Sequence, residues 1–157
     1  MHEAQTWRRE GFYISTDKSL LQVSRIHQFL STQAYWCRGI PRETVAAAIA
    51  GSLCFGLHAE SDAAQVGFAR VVTDCATFAW LCDVYVEHAH RGKGLSKWMV
   101  ECVLSHRDLQ HLRRICLATK DAHSLYQRFG FTATKTPGNW MEIKHNDLYQ
   151  KPNPDPR

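Results

Sequence analysis

Residues 77–104, TFAWLCDVYVEHAHRGKGLSKWMVECVL, constrain this chain more than any other stretch. The first ten are apolar or aromatic on both alternating faces, with Asp83 as the single charge. That pattern belongs to a central strand covered on both sides. The strand ends at Val86 and a short loop carrying Gly92 and Gly94 follows. Leu95, Trp98, Met99, Cys102 and Val103 then recur at offsets 0, 3, 4, 7 and 8, which is one face of an α-helix. The run RRICLATK, 113–120, returns as a strand. Strand, glycine turn, helix and strand make a βαβ unit, so part of the sheet is parallel.

Two glycines so close together cost conformational entropy, and something must need bare backbone there. The first amides of a helix have no internal partners, and the helix dipole makes that end partly positive. A pyrophosphate fits such a place. Arg91 and Lys93 add charge, and between residues 91 and 114 six cations face only Glu101 and Asp108. That excess also suits an anionic ligand. Other phosphate motifs fit poorly. The P-loop spacing is missing, and the dinucleotide fingerprint fails at its third glycine, where Lys97 stands.

Elsewhere the chain alternates short elements. GFYISTD, 11–17, reads as a first strand, and Asp17 caps a helix with apolar residues at 20, 23, 26 and 30. The aromatic loop QAYWCRGIP, 33–41, leads to a helix that Pro41 starts and Gly51 closes. Strands are expected at 53–59, 65–73 and 77–86, joined by the turns ESDAA and DCA. DAHSLYQRF, 121–129, reads as a short helix capped by Asp121 and stopped by Gly130. FTATK and NWMEIK finish as strands. The order is β-α-α-β-β-β-α-β-α-β-β, an α/β (α+β) domain with a mixed, mostly antiparallel sheet and helices on both faces. One domain is expected over 11–146, with a proline-rich tail, 147–157.

Composition narrows the class. The 157 residues suit one domain with a real core. Six cysteines without a C-x-x-C pair read as free thiols in a reducing compartment. The first residues hold no apolar run, and the uncharged stretch 44–57 is too short to span a bilayer. A cytoplasmic protein is expected. His88 and His90 form H-x-H with no evident third ligand, so they are expected to be solvent-exposed and no metal site is expected.

Two motifs carry a resemblance. Arg91-Gly92-Lys93-Gly94-Leu95-Ser96 follows the central strand, and DAHSLYQRFGF lies at 121–131. The chain resembles the GCN5-related N-acetyltransferases (GNAT), whose signatures are [Q/R]-x-x-G-x-[G/A] and an Asn-led LY-x-x-x-GF. Ser96 stands where that family has glycine or alanine, and Asp121 where asparagine is usual. The resemblance implies acetyl-CoA as co-substrate and an amine as acceptor. It implies that the backbone of Val84, Tyr85 and Val86 pairs with the pantetheine arm, and that the Val86 amide donates to the thioester carbonyl. Arg91 through Ser96 would hold the pyrophosphate. Asp121 would touch the pantetheine, and Tyr126 would protonate the departing sulfur.

The acceptor side stays open at this level. Asp83 is the nearest carboxylate and reads either as a base or ammonium anchor or as a structural ion pair, with a water relay as another route. Tyr35 and Trp36 either form the acceptor wall or plug the loop onto the core. The other functions weighed are an acyl-CoA sensor without turnover and a nucleic-acid-binding module. The second is weak because Trp98, the one aromatic among the 91–114 cations, belongs to the helix's apolar face. No nucleic acid or membrane partner is expected, and a homodimer is common in the family.

Overall fold

The computed structural model describes residues 3–150. The strands are β1 (Thr6–Arg9), β2 (Phe12–Ser15), β3 (Leu53–Ala59), β4 (Gln65–Thr73), β5 (Phe78–Val86) and β6 (Arg114–Leu117). The helices are α1 (Val23–Thr32), α2 (Arg42–Ala50), α3 (Leu95–Ser105) and α4 (His123–Gln127). The six strands form one sheet in chain order. Every neighbouring pair is antiparallel except β5 and β6, which are parallel. The βαβ unit is therefore β5-α3-β6, as the spacing predicts.

Each face of the sheet carries its own core. Leu95, Trp98, Met99, Cys102 and Val103 of α3 are all buried against Phe55, Val71, Ala79 and Leu81. On the other face, Ile26, Phe29 and Leu30 of α1 and Val45 and Ile49 of α2 pack on Cys54, Phe68 and Tyr85. Phe29 and Tyr85 stack with centroids 3.7 Å apart. A strand between two apolar layers can afford few charges, and β5 and β4 each carry one, Asp83 and Arg70.

Four local expectations differ from what forms. An extra strand, β1, precedes the first expected one and pairs with it through a turn at Gly11. The helix expected from Asp17 is broken. Asp17 caps a short 3₁₀ turn, Lys18–Leu20, and α1 begins only at Val23. The break is held from outside, because the Gln65 side chain accepts from the Gln22 amide at 2.7 Å and the Gln22 side chain accepts from the Gln65 amide at 3.0 Å. The α4 helix is shorter than expected and Asp121 does not cap it. The Thr119 hydroxyl accepts from the Ala122 amide instead, at 3.0 Å. Finally, neither FTATK nor NWMEIK forms a strand among the described residues. A 3₁₀ turn at Pro137–Asn139 interrupts them, and residues 132–148 are exposed.

β5 contains a bulge. Phe68 pairs with Tyr85 and Arg70 with Cys82, so Ala69 alone stands opposite both Asp83 and Val84. Asp83 takes the extra residue's conformation, with φ of +53°.

Candidate active site

β5 and β6 pair only from Phe78–Arg114 to Leu81–Leu117. Beyond that point the two parallel strands separate, and residues 82–86 present backbone with no β6 partner. The Glu87 amide donates to Val66 of β4 at 2.8 Å. Strand alternation turns the Val86 amide the other way, into the opening.

The opening runs into the glycine turn. Gly92 and Gly94 have φ of +79° and +73°, the left-handed region that glycine enters without strain. A Cβ built on either would meet nothing within 4 Å, so neighbouring protein does not demand glycine there. The space itself is what they leave free. Gly94 is the residue before α3, and no side chain caps that helix. Its first amides face outward at the positive end of the dipole. Arg91 is less free than its position suggests, since its Nε donates to the Val86 carbonyl at 3.0 Å. Lys93 lies over the Phe12 ring at 5.6 Å. His88 is exposed. His90 is not, because its ring packs edge-on against Phe12 at 5.9 Å.

On the α1–α2 face, the loop 33–41 reaches over the opening. The Trp36 indole donates to the Asp83 carboxylate at 2.9 Å, and Arg70 Nε donates to the other carboxylate oxygen at 2.8 Å. The Arg70 and Asp83 side chains are 18% and 11% exposed. Arg70 also donates to the Ser52 hydroxyl at 3.0 Å. The Tyr35 hydroxyl accepts from the Lys120 amide at 3.2 Å, and the Lys120 ammonium lies 5.5 Å above the same ring. Tyr35 and Trp36 meet edge to face and stay about half exposed, so they do not plug the core.

Tyr126 projects from α4, is 8% exposed and meets Phe131 edge to face. Burial above all, then nearby Tyr35 and Asp121, pushes its pKa up to about 12. Its hydroxyl therefore keeps its proton at neutral pH. Burial also pushes the Cys37 and Cys82 thiols up to about 12, the first helped by Asp83. Neither supplies thiolate at neutral pH.

The residues 52–133 match the family model described as an acetyltransferase (GNAT) domain. A protein of Gibberella zeae, described as a putative acetyltransferase, is 34% identical over 142 residues, covering 78% of this chain and 79% of its own. The chain belongs to the GNAT acetyltransferase family. A GNAT structure from Xanthomonas campestris pv. campestris, also described as a putative acetyltransferase, superposes with a TM-score of 0.85 at 49% identity. It covers 88% of this chain and 96% of its own. An acetyltransferase from Clostridium acetobutylicum, solved with acetyl-CoA, shares the fold at a TM-score of 0.59 and 14% identity, covering 90% and 95%. The mixed sheet with helices on both faces is therefore the GNAT fold, and acetyl transfer is the chemistry of the family. Among the described residues no helix is long and apolar enough to cross a membrane.

Tyr35, Trp36, Asp83 and Tyr126, singled out in the sequence, gather around one opening. Arg70, Ser52 and Lys120 were missed. A lone arginine in the apolar run QVGFARVVT, next to a strand with a lone aspartate, was the available signal for the first.

Proposed function

We propose that this GNAT protein transfers the acetyl group of acetyl-CoA to a primary amine of a small molecule or protein by direct attack on the thioester. The observation that carries this is the parting of β5 and β6 after Leu81 and Leu117, which opens onto an uncapped helix start lined by Gly92 and Gly94. A pantetheine arm is amide-rich and can add to the free edge of Val84–Val86 as a strand would. The pyrophosphate then meets the amides of residues 92–96 beside Arg91 and Lys93. Asp121, exposed and near enough to Tyr126 to raise its pKa, would touch the arm. The Val86 amide donates to the thioester carbonyl as it takes on negative charge. The amine attacks as the free base, since an ammonium has no lone pair. The tetrahedral adduct collapses, and Tyr126 gives a proton to the leaving sulfur. Direct attack suits the site because the neighbouring thiols are held protonated.

Asp83 is already bound to Arg70 and Trp36. Both of its oxygens are taken, so we assign it to anchoring the acceptor loop and the incoming ammonium, with water taking the proton. Tyr35 and Trp36 form the acceptor wall. The family resemblance also suggests a homodimer, in a reducing cytoplasmic setting. The engagement of Asp83 also favours a second reading, an acyl-CoA sensor without turnover. A panel of amines with acetyl-CoA, followed by free thiol release, decides between them. Acetyl transfer gives amine-dependent thiol, whereas a sensor binds CoA and releases none with any amine.

A further inference from the structure

Three contacts stitch α1 and the loop after it to the open end of β5. The Trp36 indole donates to Asp83 at 2.9 Å, the Phe29 ring stacks on Tyr85 at 3.7 Å, and Arg25 donates to Glu87 at 2.8 Å. Positions 83, 85 and 87 alternate along the chain, so all three meet the α1 side, while Val84 and Val86 turn to the α3 core. The α1 partners run the opposite way, from 36 through 29 to 25. The result is one seam, with the acceptor wall of Tyr35 and Trp36 at one end and the Arg25–Glu87 pair at the other.

A groove of about 520 Å³ lies over the Arg25 end of that seam, with Arg25, Gln28, Phe29, Gln33, Glu87 and His88 in its lining. Gln33 follows the last residue of α1 and stands two residues before Tyr35, so the groove starts where the acceptor wall ends. Asp83 to Glu87 is about 13 Å of strand. A cleft of this size suits a ligand larger than a bare alkylamine.

The lining is polar and already neutral. Arg25 holds both Glu87 oxygens, at 3.0 and 2.8 Å, so each charge has its opposite. A second ammonium or a carboxylate on the acceptor would have to break that pair to find a partner. The carboxamides of Gln28 and Gln33 are exposed and, among the described residues, unpartnered. A carboxamide both donates and accepts, which matches an amide or a hydroxyl group.

We infer that this groove binds the body of the acceptor, and that the body is uncharged and rich in amide or hydroxyl groups. This deepens the reading of the protein as an amine acetyltransferase and rests on it. The amine end lies at Asp83 and Trp36, and the body follows the seam toward Glu87, with Gln28 and Gln33 as its hydrogen-bonding partners. Peptides and amino sugars share this chemistry.

Initial rates of thiol release from acetyl-CoA test it on the full chain. Triglycine amide and glucosamine serve as polar-bodied amines, hexylamine as the apolar one, and spermidine and glutamate as the charged ones. At least one polar-bodied amine is expected to exceed the other three by about tenfold or more in kcat/KM, and the one that leads names the source as peptide or sugar. The variant Gln28→Leu with Gln33→Leu keeps side-chain size and changes only exposed positions. It is expected to raise KM for the leading amine by roughly tenfold with kcat held, because two hydrogen bonds go. Hexylamine, spermidine or glutamate turned over as well as the polar-bodied amines, or an unmoved KM in the double variant, overturns the groove assignment and leaves acetyl transfer standing. A double variant that loses CoA affinity instead gives the groove to the cofactor and overturns it too. No thiol release with any amine overturns both readings together.

Discussion

Gly94 separates what the fold needs from what the ligand needs. Its φ is +73° and a Cβ there meets nothing within 4 Å. Gly11, in the β1–β2 turn, is a natural control, with φ of +76° and equally open space. An L-residue in the left-handed region costs about 1–2 kcal/mol. In a chain of this size each kcal/mol shifts Tm by about 2–4 °C, so Gly94→Ala and Gly11→Ala should each lower Tm by about 2–8 °C. Their ligand behaviour should diverge. A methyl at 94 stands between the α3 amides and the pyrophosphate. A hydrogen bond to a charged group is worth about 1.5–3 kcal/mol, so losing one weakens CoA by about tenfold to a hundredfold. Gly94→Glu adds like charge and should weaken it further. Isothermal calorimetry with CoA, run on all three variants below their melting temperatures, reads this directly. If Gly94→Ala binds CoA as the parent does, or loses no more than Gly11→Ala, the assignment of the pyrophosphate to this turn is wrong.

Tyr126→Phe keeps the ring packed on Phe131 and removes only the donor. Its kcat should fall by at least about tenfold, below the usual 10²–10⁴ of general acid help because water substitutes, with CoA affinity nearly unchanged; parent-like turnover would make Tyr126 a core residue. Because the folded pKa lies near 12 and the ordinary value is 10.0, its stabilising effect is complete below pH 10 and is lost as pH rises toward 12. Alkaline melts of Tyr126→Phe should lack that decline. Asp83→Asn strands the half-buried Arg70 charge and should cost up to about 3–5 kcal/mol, with Arg70→Met in the same chain recovering much of it. Measured where the variant is folded, turnover equal to the parent at every pH would leave Asp83 a purely structural role. The Asp74 carboxylate accepts from the amides of Ala76, Thr77 and Phe78 and from the Thr77 hydroxyl, which hold its pKa below 3.8. Its contribution is present above that value and fades as pH falls below it, so Asp74→Ala should flatten the acid limb of Tm between about pH 5 and pH 2; an unchanged limb would refute it.

The strands 53–59 and 65–73 were legible to the residue, because period-two and apolar-run patterns end cleanly at polar turns. The face of α3 and the glycine turn were legible for the same local reason. What escaped the sequence was tertiary. The break before α1 depends on Gln65, more than forty residues away, reaching the Gln22 amide. The strand expected over 139–144 does not form among the described residues, because a period-two pattern makes a strand only where it meets a partner edge. At the site, Tyr126 and the 91–96 turn came from motif spacing. The Arg70–Asp83–Trp36 cluster did not, since it assembles from β4, β5 and a loop.

The bulge at Asp83 gives β5 two reading frames. Before it, odd-numbered residues face α3, as Ala79 and Leu81 do; after it, the even-numbered Val84 and Val86 do, while Tyr85 turns to α1. One residue of added length is the splice between them. Substitutions along β5 are absorbed one at a time, but a single-residue deletion at 82–84 would shift the phase of everything downstream. Tyr85 would leave Phe29, and the Val86 amide would leave the opening. The strand therefore tolerates drift in letters and not in length, so cofactor geometry and helix packing stand or fall on the same count.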